Sequence, residues 1–206
     1  MRKLITGGTI VNEGRAFEGA IVIEDETIVE IIDGDLVPRG TFDETIDATG
    51  CFVMPGIIDT HVHFREPGME EKATIDTEST AAVFGGVTSF IEMPNTNPQT
   101  TSLEALNDKL ARAKRSSHVN YSFFFGATNA NADIIKQLDV HSVPGVKLFM
   151  GASTGNMLVD RPNALDNVFD AAAKMNFPVM THCEDSGIIN ENMKTAKARY
   201  GDVPSI

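Results

Sequence analysis

Tryptophan is absent from the chain, and cysteine occurs only twice, as Cys51 and Cys183. Two distant thiols make no disulfide framework, so a reducing compartment is expected, with the cytoplasm as the location. No run of about eighteen apolar residues could span a bilayer. Met1, Arg2 and Lys3 lead into a short strand-like run rather than the apolar stretch of a leader. Positive charge is scarce as well: 17 Lys and Arg stand against 29 Asp and Glu, a formal charge of -12. A phosphate backbone or an anionic membrane would on average be repelled, so neither nucleic acid nor membrane is an expected partner. A small anionic substrate stays open, because a metal or a single Arg can reverse the field locally.

What remains is ordinary globular material, 42% hydrophobic and 22% charged over 206 residues, enough for one large core or for one domain and part of another. The first fifty-odd residues read as strands and turns. KLITGGTIV breaks at Gly7 and Gly8, Ala20 to Ile23 and Thr27 to Ile32 form a hairpin signal, and a short strand is expected near Thr45 and Ile46. From Pro55 the pattern changes. Apolar runs at Ile57 to His61, Val87 to Met93, Val119 to Phe125, Val146 to Met150 and Pro178 to His182 alternate with helix-prone stretches. Among these stretches, Leu103, Leu106, Leu110 and Ala113 follow the capping candidates Thr101 and Ser102, and Ala164 to Met175 is similar. Such βαβα order argues for a parallel sheet covered by helices, either doubly wound or closed as a (β/α) barrel, and periodicity alone does not choose.

His61 and His63 lie two apart, so both imidazoles occupy one face of an extended chain and can reach one metal; alone, they could equally be a hydrogen-bonded surface pair. Parallel strands bring their C-terminal ends together, which lets His61, His63, Lys147 and His182 converge. A Lys inside an apolar run is costly as a bare ammonium. Lys147 therefore either pairs with a carboxylate or snorkels to water, or becomes a neutral amine able to form a carbamate, an anionic bidentate ligand. Arg65 follows the His pair and Asn95 follows the second apolar run; a guanidinium fork and an amide together suit a carboxylate. Cys183 is expected to pack on the face opposite His182. Gly85 and Gly86 read as a helix-ending turn, and Phe123, Phe124 and Phe125 as core.

The segments PGIIDTHVHFREPG (55 to 68), MPNTNP (93 to 98), GVKLFMG (145 to 151) and THCED (181 to 185) resemble successive signatures of the amidohydrolase superfamily. The resemblance is to the branch holding dihydroorotases, allantoinases and dihydropyrimidinases, and it covers essentially the whole chain. It implies an α/β fold: part of a small β-sandwich domain over residues 1–54, then a metal-dependent hydrolase (β/α)8 TIM barrel over residues 55–206, truncated after about five strands. It also implies two zinc ions, with His61 and His63 on the first, carboxylated Lys147 bridging both, and His182 on the second. A further His on the sixth strand and an Asp on the eighth would lie beyond Ile206, so no catalytic acid or base is expected within these residues and the chain alone is expected to be inactive. Arg65 and Asn95 match residues that bind the substrate carboxylate in dihydroorotases. The resemblance thus implies zinc-dependent interconversion of L-dihydroorotate and N-carbamoyl-L-aspartate, a reaction of pyrimidine biosynthesis, with a small-molecule substrate and a homo-oligomer as possible partners. An allantoinase or hydantoinase acting on another cyclic amide is the alternative, and a non-catalytic scaffold subunit the more distant one.

Overall fold

The structure, a computed structural model, describes residues 1–36, 38–151 and 157–202. It divides into two compact units, Met1–Gly56 and Ile57–Ile206.

The first unit is a single sheet. β1 (Arg2–Asn12) pairs antiparallel with β2 (Arg15–Glu24), and β2 pairs antiparallel with β3 (Thr27–Asp33). On the other side β1 runs parallel to β4 (Glu44–Asp47), and its far end runs parallel to β5 (Phe52–Val53). Ile10, Ala20, Ile21, Val22, Ile32 and Ala48 are its buried hydrophobic residues. The break expected at Gly7 and Gly8 does not occur. β1 passes through both, and the register shifts between Thr6 and Gly8 while Gly7 takes φ +80. Such an extra left-handed residue is a bulge, which Gly accommodates without a Cβ clash while pairing resumes beyond it. No second sheet of a sandwich is present among the described residues of this unit.

The second unit alternates strands and helices: β6 (Ile57–Val62), α1 (Ile75–Phe84), β7 (Val87–Glu92), α2 (Leu103–Ser116), β8 (Asn120–Phe123), β9 (Phe125–Gly126), α3 (Ala132–Ile135), β10 (Val146–Phe149), α4 (Pro162–Met175), β11 (Val179–His182) and α5 (Ser186–Tyr200). Every strand pairing in it is parallel, in the orders β6-β7-β8 and β9-β10-β11. β8 and β9 are two pieces of one extended segment, expected from sequence as a single run. At their junction the N–H of Phe124 reaches Glu92 O at 3.0 Å, while that of Phe125 turns to Gly145 O at 3.2 Å. The segment thus leaves one neighbour for the next and links both sets into one parallel series. No sheet closes on itself among the described residues.

Local chemistry explains the helices. Thr74 and Thr77 form a reciprocal cap for α1, and the Ser102 hydroxyl accepts the Ala105 N–H at the start of α2. Pro162 opens α4, where a missing N–H costs nothing. Gly85 ends α1, as the sequence indicates. Leu106 and Ala113 from α2 and Val168, Ala171 and Ala172 from α4 pack with Phe90, Phe123, Phe125, Val146 and Leu148 of the strands. All four residues of β10 are buried, which is why a strand covered on both faces reads as a plain apolar run. The expectation that residues 201–206 hold no strand falls mostly outside the described residues, which end at Asp202. Among the described residues no helix is long and apolar enough to cross a membrane.

Candidate metal and substrate site

His61 and His63 stand side by side at the end of β6, their ring centroids 5.4 Å apart and tilted by 53°. The Asp59 carboxylate accepts the backbone N–H of His61 at 3.1 Å, so it steadies the strand end rather than the ring. Both imidazoles are held below their ordinary pKa. For His61 the causes are partial burial and then the Lys147 charge, with Asp59 opposing. For His63 they are partial burial and then Arg65 and His61, with the Asn95 amide opposing. Neutral imidazole is the form that ligates a metal.

Lys147 is 3% exposed in the middle of β10, its ammonium 4.9 Å from the centre of the Phe149 ring. Burial lowers its pKa, slightly opposed by Cys183. Among the described residues no carboxylate forms an ion pair with it. His182, at the end of β11, stacks on Phe149 with centroids 5.9 Å apart, and its Nε2 lies 3.1 Å from Glu184 Oε1. His61 on β6 is close enough to Lys147 on β10 and to His182 on β11 for both to act on it electrostatically. Cys183 is exposed, with its Sγ 2.9 Å from Thr181 Oγ1, so the expectation that it packs is corrected: the chain leaves the sheet there instead of continuing into the core.

Arg65 and Asn95 line one cavity together with Lys72, Asn97 and Gln99. The loop after β6 and the loop after β7 are docked to make it. Asn97 N–H donates to Pro67 O at 2.9 Å, and Gly68, at φ +88, approaches so closely that a Cβ there would lie 1.9 Å from Asn97 O. Within the second loop both Thr96 and Thr100 donate their N–H groups to Pro94 O at 2.9 Å, a tight turn that leaves Asn95 at its start.

Sequence reasoning missed Glu92 and Lys109. Glu92, the last residue of β7, accepts the Arg65 N–H on Oε1 at 3.1 Å and is 2.9 Å through Oε2 from Lys109 Nζ. Lys109 directs its aligned hydrogen bond to Met93 O at 3.0 Å. Burial pushes the Glu92 pKa up and the Lys109 pKa down, and each partner's charge opposes the shift of the other. A signal was present: Lys109 sits on the apolar stripe of α2 between Leu106 and Ala113.

The arrangement thus places His61, His63 and His182 at the ends of β6 and β11, with Lys147 inside β10, two positions before the rung of His182, and Arg65 and Asn95 in the loops after β6 and β7. Neutral imidazoles and an unpaired buried amine fit the donor chemistry of the metal pair that the resemblance implies. Among the described residues no three His, Cys, Asp or Glu side chains by themselves form a group able to hold a metal ion. Lys147 is the neighbour that His61 and His63 share.

Comparison with known proteins bears on this geometry. A model described as "Amidohydrolase family" matches residues 52–203. An allantoinase of Desulfitobacterium hafniense (strain Y51) is 36% identical over 194 residues, covering 91% of this chain and 42% of that protein. A dihydroorotase of Bacillus thuringiensis (strain Al Hakam) is 32% identical over 212 residues, covering 100% of this chain and 48% of that protein. Among solved structures, the L-hydantoinase (dihydropyrimidinase) from Arthrobacter aurescens superposes with a TM-score of 0.87 at 28% identity, covering 96% of this chain and 44% of that one. The chain thus spans about half the length of the curated relatives it matches, or somewhat less.

Proposed function

Because this chain belongs to the amidohydrolase family, we propose that it forms part of a metal-dependent hydrolase of cyclic amides whose substrate carries a carboxylate, with L-dihydroorotate and N-carbamoyl-L-aspartate as the reacting pair. The observation that carries the carboxylate is the cavity shared by Arg65 and Asn95 next to His63. The guanidinium fork of Arg65 binds the carboxylate through two parallel N–H groups, and the Asn95 amide fixes its orientation. In this reading the parallel series is part of a (β/α)8 barrel, and its C-terminal strand ends form the active face.

His61 and His63 would hold one zinc ion and His182 a second, with Lys147 supplying oxygen donors beside them as a carbamate: its neutral Nζ adds to carbon dioxide, an N–C bond forms as one C=O π bond passes its electrons to oxygen, and the amine proton leaves to solvent. Burial that depresses the Lys147 pKa keeps the amine nucleophilic and shields the product from acid. When bound, two such metals supply a Lewis acid for the amide carbonyl and lower the pKa of water toward neutrality. His182 must exchange its contact with Glu184 for the metal or keep it through the other ring nitrogen, as ligating imidazoles commonly do.

The test is a substrate panel on the complete gene product loaded with zinc. Dihydroorotate turned over in preference to allantoin and dihydrouracil supports the reading. Preference for allantoin would favour the second one, an allantoinase, which the 36% identical relative supports.

A further inference from the structure

Glu92 and Lys109 are each about 1% exposed at their side chains, and the reaction uses neither directly. A buried ion pair is often no more stabilising than well-packed apolar residues of the same volume, so its presence at this point calls for another account. The surroundings supply one. Beyond His63 the chain leaves β6 and must turn at once: Phe64 is buried, and Arg65 takes φ +69, an unfavourable conformation for a residue with a Cβ. The Arg65 N–H in this turn points back toward β7, where the Glu92 carboxylate accepts it at 3.1 Å, and the neighbouring Phe64 N–H lies close enough to act on the same carboxylate. A neutral side chain there would offer weaker acceptance, and an apolar one none. Lys109 supplies the compensating charge from α2. Its own position is held by Met93 O and by the face of Phe123, 5.1 Å away. Met93 immediately precedes the turn that carries Asn95, so the pair contacts both loops of the cavity.

We propose that Glu92 is a positioning residue: with Lys109 as its counter-ion, it clamps the Phe64–Arg65 backbone in the left-handed turn that places Arg65 in the carboxylate cavity. The clamp's effect on substrate rests on the carboxylate reading above; its effect on the backbone does not.

Two double variants of the complete gene product separate positioning from packing. Glu92→Met with Lys109→Met removes both charges and the acceptor but keeps the volume. Glu92→Gln with Lys109→Met removes both charges and keeps an acceptor oxygen. In the unmodified protein the Arg65 amide should resist hydrogen exchange as strongly as those of β7. In the Met/Met variant it should exchange rapidly while β7 stays protected. Its KM for dihydroorotate should rise between about ten- and a hundred-fold, with kcat changed far less and zinc content unchanged. The Gln/Met variant should recover most of both. Loop-like exchange of the Arg65 amide in the unmodified protein overturns the proposal and needs no variant to fold. So does a Met/Met protein with intact protection and KM, or an equal loss in both variants accompanied by global destabilisation. If the unmodified enzyme proves to act on neutral cyclic amides, the substrate reading falls, while the exchange measurement still decides whether Glu92 holds the turn.

Discussion

The N–H of Asn97 donates to the carbonyl of Pro67 at 2.9 Å, and this contact joins the loop that carries Arg65 to the loop that carries Asn95. Gly68 makes the approach possible. Its substitution by Ala introduces a Cβ 1.9 Å from Asn97 O at φ +88, so the backbone itself must move. Gly68→Ala should destabilise the protein by about 1–3 kcal/mol. It should also weaken carboxylate binding, because Arg65 and Asn95 separate. The denaturation midpoint and the KM for dihydroorotate check the two effects, and an unchanged KM would mean that loop docking does not shape the cavity.

Arg65→Lys keeps the charge but loses the planar fork. The kcat/KM for dihydroorotate should fall by about two orders of magnitude while zinc stays bound. Steady-state kinetics alongside metal analysis measures this, and normal turnover would remove Arg65 from the carboxylate site.

Lys147→Ala should abolish most metal binding and activity, since the shared neighbour of His61 and His63 is lost. Short carboxylic acids added to the variant should restore part of both by occupying the place of the carbamate. Full metal content in the untreated variant would show that Lys147 is not a ligand.

The depressed pKa values of His61 and His63 set a pH dependence for the metal-free protein. Each ring binds a proton less readily folded than unfolded, where the value is 6.5. Their contribution to stability is therefore fully present above about pH 6.5 and is lost as the pH falls toward and through the lower folded values. Urea midpoints should drop between pH 7.5 and 5.5, and replacing both residues with Gln should flatten that slope. An equal slope in the doubly substituted protein would assign the effect to other groups.

The fold of the second unit was legible where burial is two-sided. Val146 to Phe149 read directly as a strand because both its faces are buried, and Lys147 stood out against that apolar background. The strand ends were legible too, since two-residue spacing puts His61 and His63 on one face whatever the partner strands do. Local composition misled at Gly7 and Gly8, where the antiparallel partner β2 carries the pairing past a bulge.

The sequence by itself therefore determined the order of the apolar runs and the histidines at the ends of β6 and β11, because both follow from the pattern along a few consecutive residues. Only the tertiary structure decided that Glu92 and Lys109 meet behind the turn at Arg65, that Pro67 receives Asn97, and that His61 comes within electrostatic reach of Lys147 and His182. In sequence Glu92 is separated from Arg65 by the whole of α1, and from Lys109 by a loop and the start of α2. Whether a buried carboxylate finds a backbone N–H and an ammonium depends on how a strand, a turn and a helix pack, and no periodicity along the chain encodes that distance.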